Sequence, residues 1–150
     1  MYRTLVILAA AAMLVSLILP WVNLPGVQFI VPWEMLKPLW DQFEWDMPRE
    51  AMIFAASFAA AAVIVLLAAI GAAPRLLTLI VGLYPFVLAF LAWGQMRDEA
   101  AALGVPVPDG LDPTAIWDQL SPFLGFGIYA YFGGAVVLVL MGLVGGGRRR

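Results

Sequence analysis

Two residue types that carry much of enzyme and metal chemistry, cysteine and histidine, are absent from this 150-residue sequence. Without thiols the chain cannot form disulfides, ligate an iron–sulfur cluster or carry out thiol redox chemistry. Without imidazole it lacks the commonest protein ligand of haem and zinc, and the commonest general base near neutral pH. We therefore predict that the protein is not an enzyme, and that its side chains form no catalytic site and hold no metal or other cofactor.

Charged residues are scarce as well, at 12% of the chain, whereas hydrophobic residues reach 64% and the mean hydropathy is +0.96. A soluble globular domain has about 25% charged residues and about 45–50% apolar ones. The net charge of −2 also gives the chain no excess of cations with which to bind nucleic acid. These values indicate an integral membrane protein. We expect it to contact membrane lipids and not to bind nucleic acid.

Four apolar segments are long enough to cross a bilayer, whose hydrocarbon core of about 30 Å needs about 20 helical residues. Apart from Glu50 and Arg75 at their first positions, these segments contain no charged residue. Backbone polar groups in lipid must be bonded within the chain, and the segments lack the alternation of barrel strands. The sequence predicts an all-α membrane protein, a single domain over 1–150, with transmembrane helices at about 4–22, 50–72, 75–94 and 122–144.

Proline and glycine residues mark where these helices are expected to begin and end. Pro48 and Pro74 stand just ahead of the second and third segments and Pro122 opens the fourth, and proline in a first helical turn removes no hydrogen bond. Gly71 suits the exit of the second helix, and Pro85 predicts a kink in the third. We interpret the first segment as an uncleaved span, because it exceeds the apolar core of a signal peptide and no small-x-small cleavage site follows it.

With four spans, the basic and acidic residues of the chain are distributed unequally between the two sides of the membrane. One side takes five arginines and no acid, and the other takes the two long loops, with three cations and all ten acids. Because basic residues mark the cytoplasmic side, the net +5 against −7 predicts that both termini are inside. The inner arginines are Arg3, Arg75, Arg148, Arg149 and Arg150.

The two outer loops, 23–49 and 95–121, are expected to carry short amphipathic helices. In the first loop, apolar side chains recur at helical spacing on one face: Trp33, Leu36, Trp40 and Phe43. Acidic residues and a lysine take the opposite face, which predicts a helix near 34–45 that lies with its apolar face down. A similar pattern predicts a second short helix near 113–120. All six tryptophans fall in these loops or at the outer ends of spans, as in an aromatic belt.

Small residues within the spans allow helices to approach one another closely. Ala55, Ala59 and Ala62 share one side of the second span, and Ala130 and Gly134 are one turn apart in the fourth. No span interior contains an acid that would couple proton transport, so a transporter is not indicated. The hydroxyl groups in the spans, which we expect to bond within the bundle, are those of Ser16, Ser57, Thr78, Tyr84, Tyr129 and Tyr131.

Three functions are compatible with these features. The first is a non-catalytic accessory or structural subunit of a larger complex (respiratory, photosynthetic, transport or secretion) in the bacterial inner membrane, in contact with other integral membrane subunits. The second is a stand-alone four-span envelope protein that organises lipids or envelope components. The third is an enzyme or transporter that uses the acidic outer loops. We favour the first and expect its partner, held by aromatic anchors, to dock at Trp40, Phe43, Trp45 and Trp117.

Reporter fusions test the predicted orientation. A reporter fused after Arg150 should lie in the cytoplasm and one inserted within 104–110 should lie outside, because the arginines mark the inner side. Alkaline phosphatase, which is active only outside the cytoplasm, distinguishes the two locations. An active phosphatase after Arg150 would show that the orientation is wrong.

Overall fold

The structure, a computed structural model, describes residues 1–23, 31–41, 49–102, 104, 114, 118 and 121–144. Within these residues the chain is helical apart from turns and short links, with one isolated antiparallel bridge between Val22 and Leu124. A 3-10 turn covers Ser121–Phe123. The helices are α1 (Tyr2–Val15), α2 (Pro32–Asp41), α3 (Arg49–Ala69), α4 (Arg75–Ala102) and α5 (Phe126–Val144).

Four of these helices form an antiparallel bundle, in which α1 and α4 each pack between α3 and α5. The start of α1 lies beside the end of α3, where the Arg3 guanidinium donates to the Ala69 carbonyl. The end of α1 lies beside the start of α5, where the Gly125 amide donates to the Trp21 carbonyl. We call the end with Arg3 and Arg75 the arginine end, and the end with Trp21 and α2 the tryptophan end.

Three of the four predicted spans are confirmed as long apolar helices. Among the described residues, α3, the part of α4 over Arg75–Gln95, and α5 are long and apolar enough to cross a membrane. Helix α1 is also apolar but has 14 residues, or about 21 Å at the helical rise. The core lies along the bundle axis, where the largest fully buried side chains from α1, α3 and α5 meet: Met13, Ile64, Tyr131 and Leu138.

The regular helix of α1 stops at Val15, although the predicted span runs from 4 to 22. Pro20 has no N–H to donate to Ser16, and its ring disfavours helical backbone at the residue before it. The chain tightens first, because the amides of residues 17–19 donate to carbonyls three positions back. The Ser16 hydroxyl also donates to the Met13 carbonyl, at 2.5 Å. The rest of the apolar run continues as turns, which hydropathy alone does not distinguish from helix.

A glycine cap ends α3, as the sequence indicated. Gly71 has a φ of +78°, in the left-handed region that glycine adopts without strain. The Ala72 amide donates to the Leu67 carbonyl at 2.8 Å, and the Gly71 amide donates to the Ala68 carbonyl at 3.1 Å. These are the two bonds of a Schellman motif, in which the chain reverses direction within a few residues. Pro74 then stands just ahead of α4, at its expected place.

Helix α4 continues into the predicted outer loop. It reaches Ala102, past the predicted end of the third span at 94, because residues 95–102 are mostly strong helix formers. It ends ahead of Gly104, whose φ of +69° is again left-handed. Pro85 lies inside α4 and removes one bond from its backbone ladder, but the helix runs through it. At the other boundary, α5 begins at Phe126, after the 3-10 turn that occupies the predicted start at 122.

Helix α2 occupies the first loop between spans, as the amphipathic pattern predicted, and packs against α3. Leu36 is only 4% exposed, while the acidic residues and the lysine of the helix are exposed. The Trp33 side chain is 44% exposed, and its amide donates to the Leu17 carbonyl at 3.0 Å. The rest of that predicted segment, 42–45, and nearly all of 113–120 lie outside the described residues.

Glycines bring the backbone of α5 close to both of its neighbours. A Cβ atom on Gly134 would come within 2.5 Å of the Ala9 carbonyl oxygen in α1. On the α4 side, a Cβ atom on Gly82 would come within 2.7 Å of the Val139 amide nitrogen in α5. The close approach predicted for the fourth span is confirmed at Gly134, whereas the adjacent Gly133 faces open space.

Alanine at Gly134 should destabilise the bundle, whereas alanine at Gly133 should not. The methyl group at Gly134 meets backbone of α1, and overpacking of this kind costs about 1–3 kcal/mol. The methyl group at Gly133 enters open space, and alanine is favoured over glycine in a helix by about 1 kcal/mol. Thermal unfolding in detergent, followed by circular dichroism, measures both variants. Equal stability of the two would contradict the packing of α1 on α5.

Candidate functional site

Aromatic side chains from α3, α5 and the segment after α1 meet near the tryptophan end of the bundle. The ring of Tyr131 lies 4.9 Å from that of Trp21, 5.3 Å from Phe58 and 5.4 Å from Phe132, between centroids. Phe54 packs edge-on against Trp21 at 5.5 Å and against Phe58 at 5.1 Å. Ring pairs at such distances contribute about 0.5–1.5 kcal/mol beyond the burial of their area. We call these five residues the aromatic cluster.

Hydroxyl groups bond this cluster and its neighbours to α3. The Tyr131 hydroxyl donates to Ser57 Oγ at 2.7 Å, and the Ser57 hydroxyl donates in turn to the Phe54 carbonyl at 2.7 Å. Tyr131 and Ser57 are both buried, so water does not compete for their bond. From α4, the Tyr84 hydroxyl donates to the Ile53 carbonyl at 2.9 Å. The two contacts fix how α4 and α5 are rotated relative to α3.

The indole of Trp21 bonds to the backbone at the end of α1. Its Nε1 atom donates to the Ser16 carbonyl at 2.8 Å, and Ser16 is fully buried. That carbonyl lacks its α-helical donor because Pro20 has no N–H. The Leu19 amide reaches the same carbonyl at 3.3 Å, and the indole adds a second and shorter hydrogen bond to it. This role differs from the membrane-surface anchoring that its position in the sequence indicated.

The segment that leads into α5 is bonded to the segment that follows α1. The Gly125 amide donates to the Trp21 carbonyl at 2.7 Å, and the Gly127 amide donates to the Pro20 carbonyl at 3.0 Å. Neither glycine has room for a side chain. A Cβ atom on Gly125 would lie 2.1 Å from the Pro20 oxygen, and one on Gly127 would lie 2.4 Å from Trp21 Cδ1. The end of the first helix and the start of the last are thus joined through backbone.

Chemically, this arrangement binds helices to one another. The side-chain donors of the cluster are hydroxyls and an indole, and their bonds go to carbonyls or to another hydroxyl of the same bundle. The acidic side chains whose exposure the structure gives lie on the surface, towards the tryptophan end. Over the described ranges, no three acidic residues lie close enough together to hold a metal ion.

The side chains of the four predicted docking residues all lie outside the part of the chain that the structure describes. Trp40 lies in α2, but the position of its side chain is outside the described set. Phe43, Trp45 and Trp117 fall entirely outside it. Their role as docking residues stays a prediction.

Sequence reasoning missed the glycine pair and the partner of the Tyr131 hydroxyl. The signal for the first was present, since Gly125 and Gly127 flank a phenylalanine just after Pro122, where a helix needs no glycine. The expectation that hydroxyls bond within the bundle is confirmed at Tyr131, but its partner depends on helix rotation and cannot be read from spacing along one helix.

Comparisons with protein-family models, with curated proteins and with solved structures found no match for this chain. A fold by itself does not specify a function. The geometry of the bundle and the distribution of charge are the observations that bear on the function of this protein.

Deleting the Tyr131 hydroxyl should weaken the bundle modestly. Tyr131→Phe keeps the ring and removes the bond to Ser57, and bonds between helices in membranes contribute about 0.6 kcal/mol on average and about 1.7 at most. A double-mutant cycle with Ser57→Ala, read by unfolding in detergent, isolates this contribution. Tyr131→Ala, which also removes the ring, should cost more, about 3–5 kcal/mol. A coupling energy of zero in the cycle would contradict the bond.

Proposed function

We propose that this protein is a non-catalytic structural subunit of a larger complex in the bacterial inner membrane. It crosses the membrane four times with both termini in the cytoplasm, and it docks through its spans and its tryptophan-rich outer loops. One observation carries the proposal: the hydroxyl and indole donors in and around the aromatic cluster, together with those of Ser16 and Tyr84, bond to the bundle itself. Polar groups used in this way support adhesion between helices, whereas a reaction centre needs polar groups directed at a substrate.

The division of charge supports the four-span arrangement. Arg3 and Arg75 lie at one end of the bundle, and the exposed acids Glu34 and Asp98 lie towards the other. The helix of α1 covers about 21 Å, and the apolar turn that follows extends it towards the tryptophan end. Since basic residues beside short loops favour the cytoplasm, the arginine end is the inner end in this proposal.

The surface of the bundle suits a protein surrounded by lipid and other spans. On α4 alone, large apolar side chains are exposed along much of its length, among them Leu76, Ile80, Leu83, Val87, Phe90 and Leu91. An apolar surface of this extent is unusual on a soluble monomer, but lipid tails and apolar helices cover it in a membrane. In this proposal the loops, which lie outside the membrane, make the contacts that distinguish one partner from another.

The charge of the outer loops indicates the chemistry of that partner. Together with Glu50 at the edge of the first loop, they contain three cations and ten acids, so a facing surface rich in lysine and arginine is favoured and an acidic one is excluded. In this proposal tryptophans supply the apolar anchors and acids supply the specificity. The partner is another integral membrane protein with a basic outer face.

Purification in mild detergent from native membranes tests the proposal. The wild-type chain should co-purify with a membrane partner, and the double variant Trp40→Ala/Trp117→Ala should lose it, because anchors of this kind contribute about 2 kcal/mol or more each. Membrane insertion should be unchanged, since both residues belong to the loop sequences and not to the long apolar segments.

Trp93→Ala is the matched control, because it removes an exposed indole from α4 and leaves the loops intact. It should retain the partner. Equal loss of the partner in Trp93→Ala would contradict docking through the loops. A chain that purifies as a lone monomer at its native level would contradict the subunit role and favour a stand-alone envelope protein.

A further inference from the structure

A small cavity opens at the arginine end of the bundle, between the start of α1 and the turn that joins α3 to α4. Its volume is about 80 Å³, and it is lined by Tyr2, Arg3, Ala68, Gly71 and Ala73. Because a water molecule takes about 30 Å³ in the liquid, the space admits a group of several heavy atoms. Three of the five lining residues are glycine or alanine, which leaves the space open.

Two residues that line this cavity, Arg3 and Tyr2, carry hydrogen-bond donors with capacity for a further acceptor. The guanidinium of Arg3 has five N–H donors, and the bond that the structure gives it goes to the Ala69 carbonyl. The hydroxyl of Tyr2 is buried and has no hydrogen-bond partner among the described residues. Buried polar groups in native proteins are nearly always bonded, so this hydroxyl indicates an acceptor that is still to be supplied.

The charge around the cavity selects an anion as that acceptor. Arg75 lies at the same end of the bundle and is exposed. All ten acids of the sequence fall within 34–50 and 98–118, and those that the structure describes, among them Glu34, Glu50 and Asp98, lie towards the opposite end. A group with several acceptor oxygens and a negative charge therefore fits both the guanidinium and the hydroxyl.

The surrounding surface identifies the source of the anion. Leu66, Ile70 and Leu76 are strongly exposed near the same end, so apolar helix surface adjoins the basic cavity. In a bilayer this boundary lies at the level of the headgroups, where lipid phosphates meet acyl chains. A phospholipid satisfies both surfaces, whereas free phosphate satisfies only the cavity.

We propose that this cavity binds the phosphate of an anionic glycerophospholipid, with Arg3 and Tyr2 as its donors. The acyl chains lie along the exposed apolar surface of α3 and α4. The site rests on insertion in a membrane and does not depend on a protein partner, so it can be tested on the purified chain alone.

The test adds lipid to the purified chain in a neutral detergent. Native mass spectrometry should show one bound dioleoylphosphatidylglycerol, which should also raise the melting temperature, while dioleoylphosphatidylcholine should bind more weakly. Arg3→Gln should weaken phosphatidylglycerol binding about tenfold or more, the loss of a charge-assisted bond, and Tyr2→Phe about fivefold. Arg97→Gln is the matched control, since it removes an exposed arginine from the opposite part of α4.

Four results would overturn the proposal. Wild-type affinity for phosphatidylglycerol in Arg3→Gln would exclude Arg3 as a ligand of the phosphate. An equal loss of affinity in Arg97→Gln would show that the effect comes from net charge and not from this site. Wild-type affinity in Tyr2→Phe, which leaves the Arg3–Ala69 bond intact, would exclude the hydroxyl. Inorganic phosphate that raises the melting temperature as much as the lipid would assign the site to a free anion.

Discussion

The end of α1 depends on one constraint, namely that backbone carbonyls inside an apolar bundle must be hydrogen bonded. Pro20 removes the α-helical donor of the Ser16 carbonyl, the Leu19 amide reaches it at 3.3 Å instead, and further donors come from other segments. The indole of Trp21 bonds to Ser16, the amide at the start of α2 bonds to Leu17, and the amide of Gly127 bonds to the Pro20 carbonyl. Because these donors belong to different segments, the bonds join the end of α1 to both α2 and α5.

Those bonds require backbones to lie closer together than side chains permit. Gly127 has no side chain, so Trp21 can lie directly against the start of α5. One turn further along α5, Tyr131 then meets the same indole at 4.9 Å and reaches across to Ser57. Helices in lipid gain little from the hydrophobic effect, and close packing and hydrogen bonds take its place. The glycines and the aromatic cluster therefore depend on the same close packing. A larger residue at Gly127 would disrupt the contact between Trp21 and α5.

The sequence predicts those features of this fold that are encoded locally. Long charge-free segments identify α3, α4 and α5, the positive φ of Gly71 follows from its place after an apolar run, and α2 follows from its amphipathic pattern. Hydropathy does not mark the end of α1, because the residues after Val15 are as apolar as those before it, and Pro20 is the local signal for it. Tyr131 and Ser57 are 74 residues apart in the sequence, and their pairing depends on how α3 and α5 are rotated relative to one another. Residue type indicated a surface anchor for Trp21, and the structure adds the hydrogen bond from its indole to the Ser16 carbonyl, which spacing along the sequence does not show.

Arg3 shows how orientation and packing depend on one another in a small membrane protein. Its charge contributes to the excess of arginines that favours the cytoplasmic side. Its guanidinium also donates to a carbonyl at the end of α3, where the helix carries a partial negative charge, and it lines the cavity beside Gly71. A lysine would supply the same charge for orientation, but its compact ammonium lacks the planar fork that bonds a carbonyl and an anion together. The structure thus gives a reason for arginine at this position that the distribution of charge alone does not.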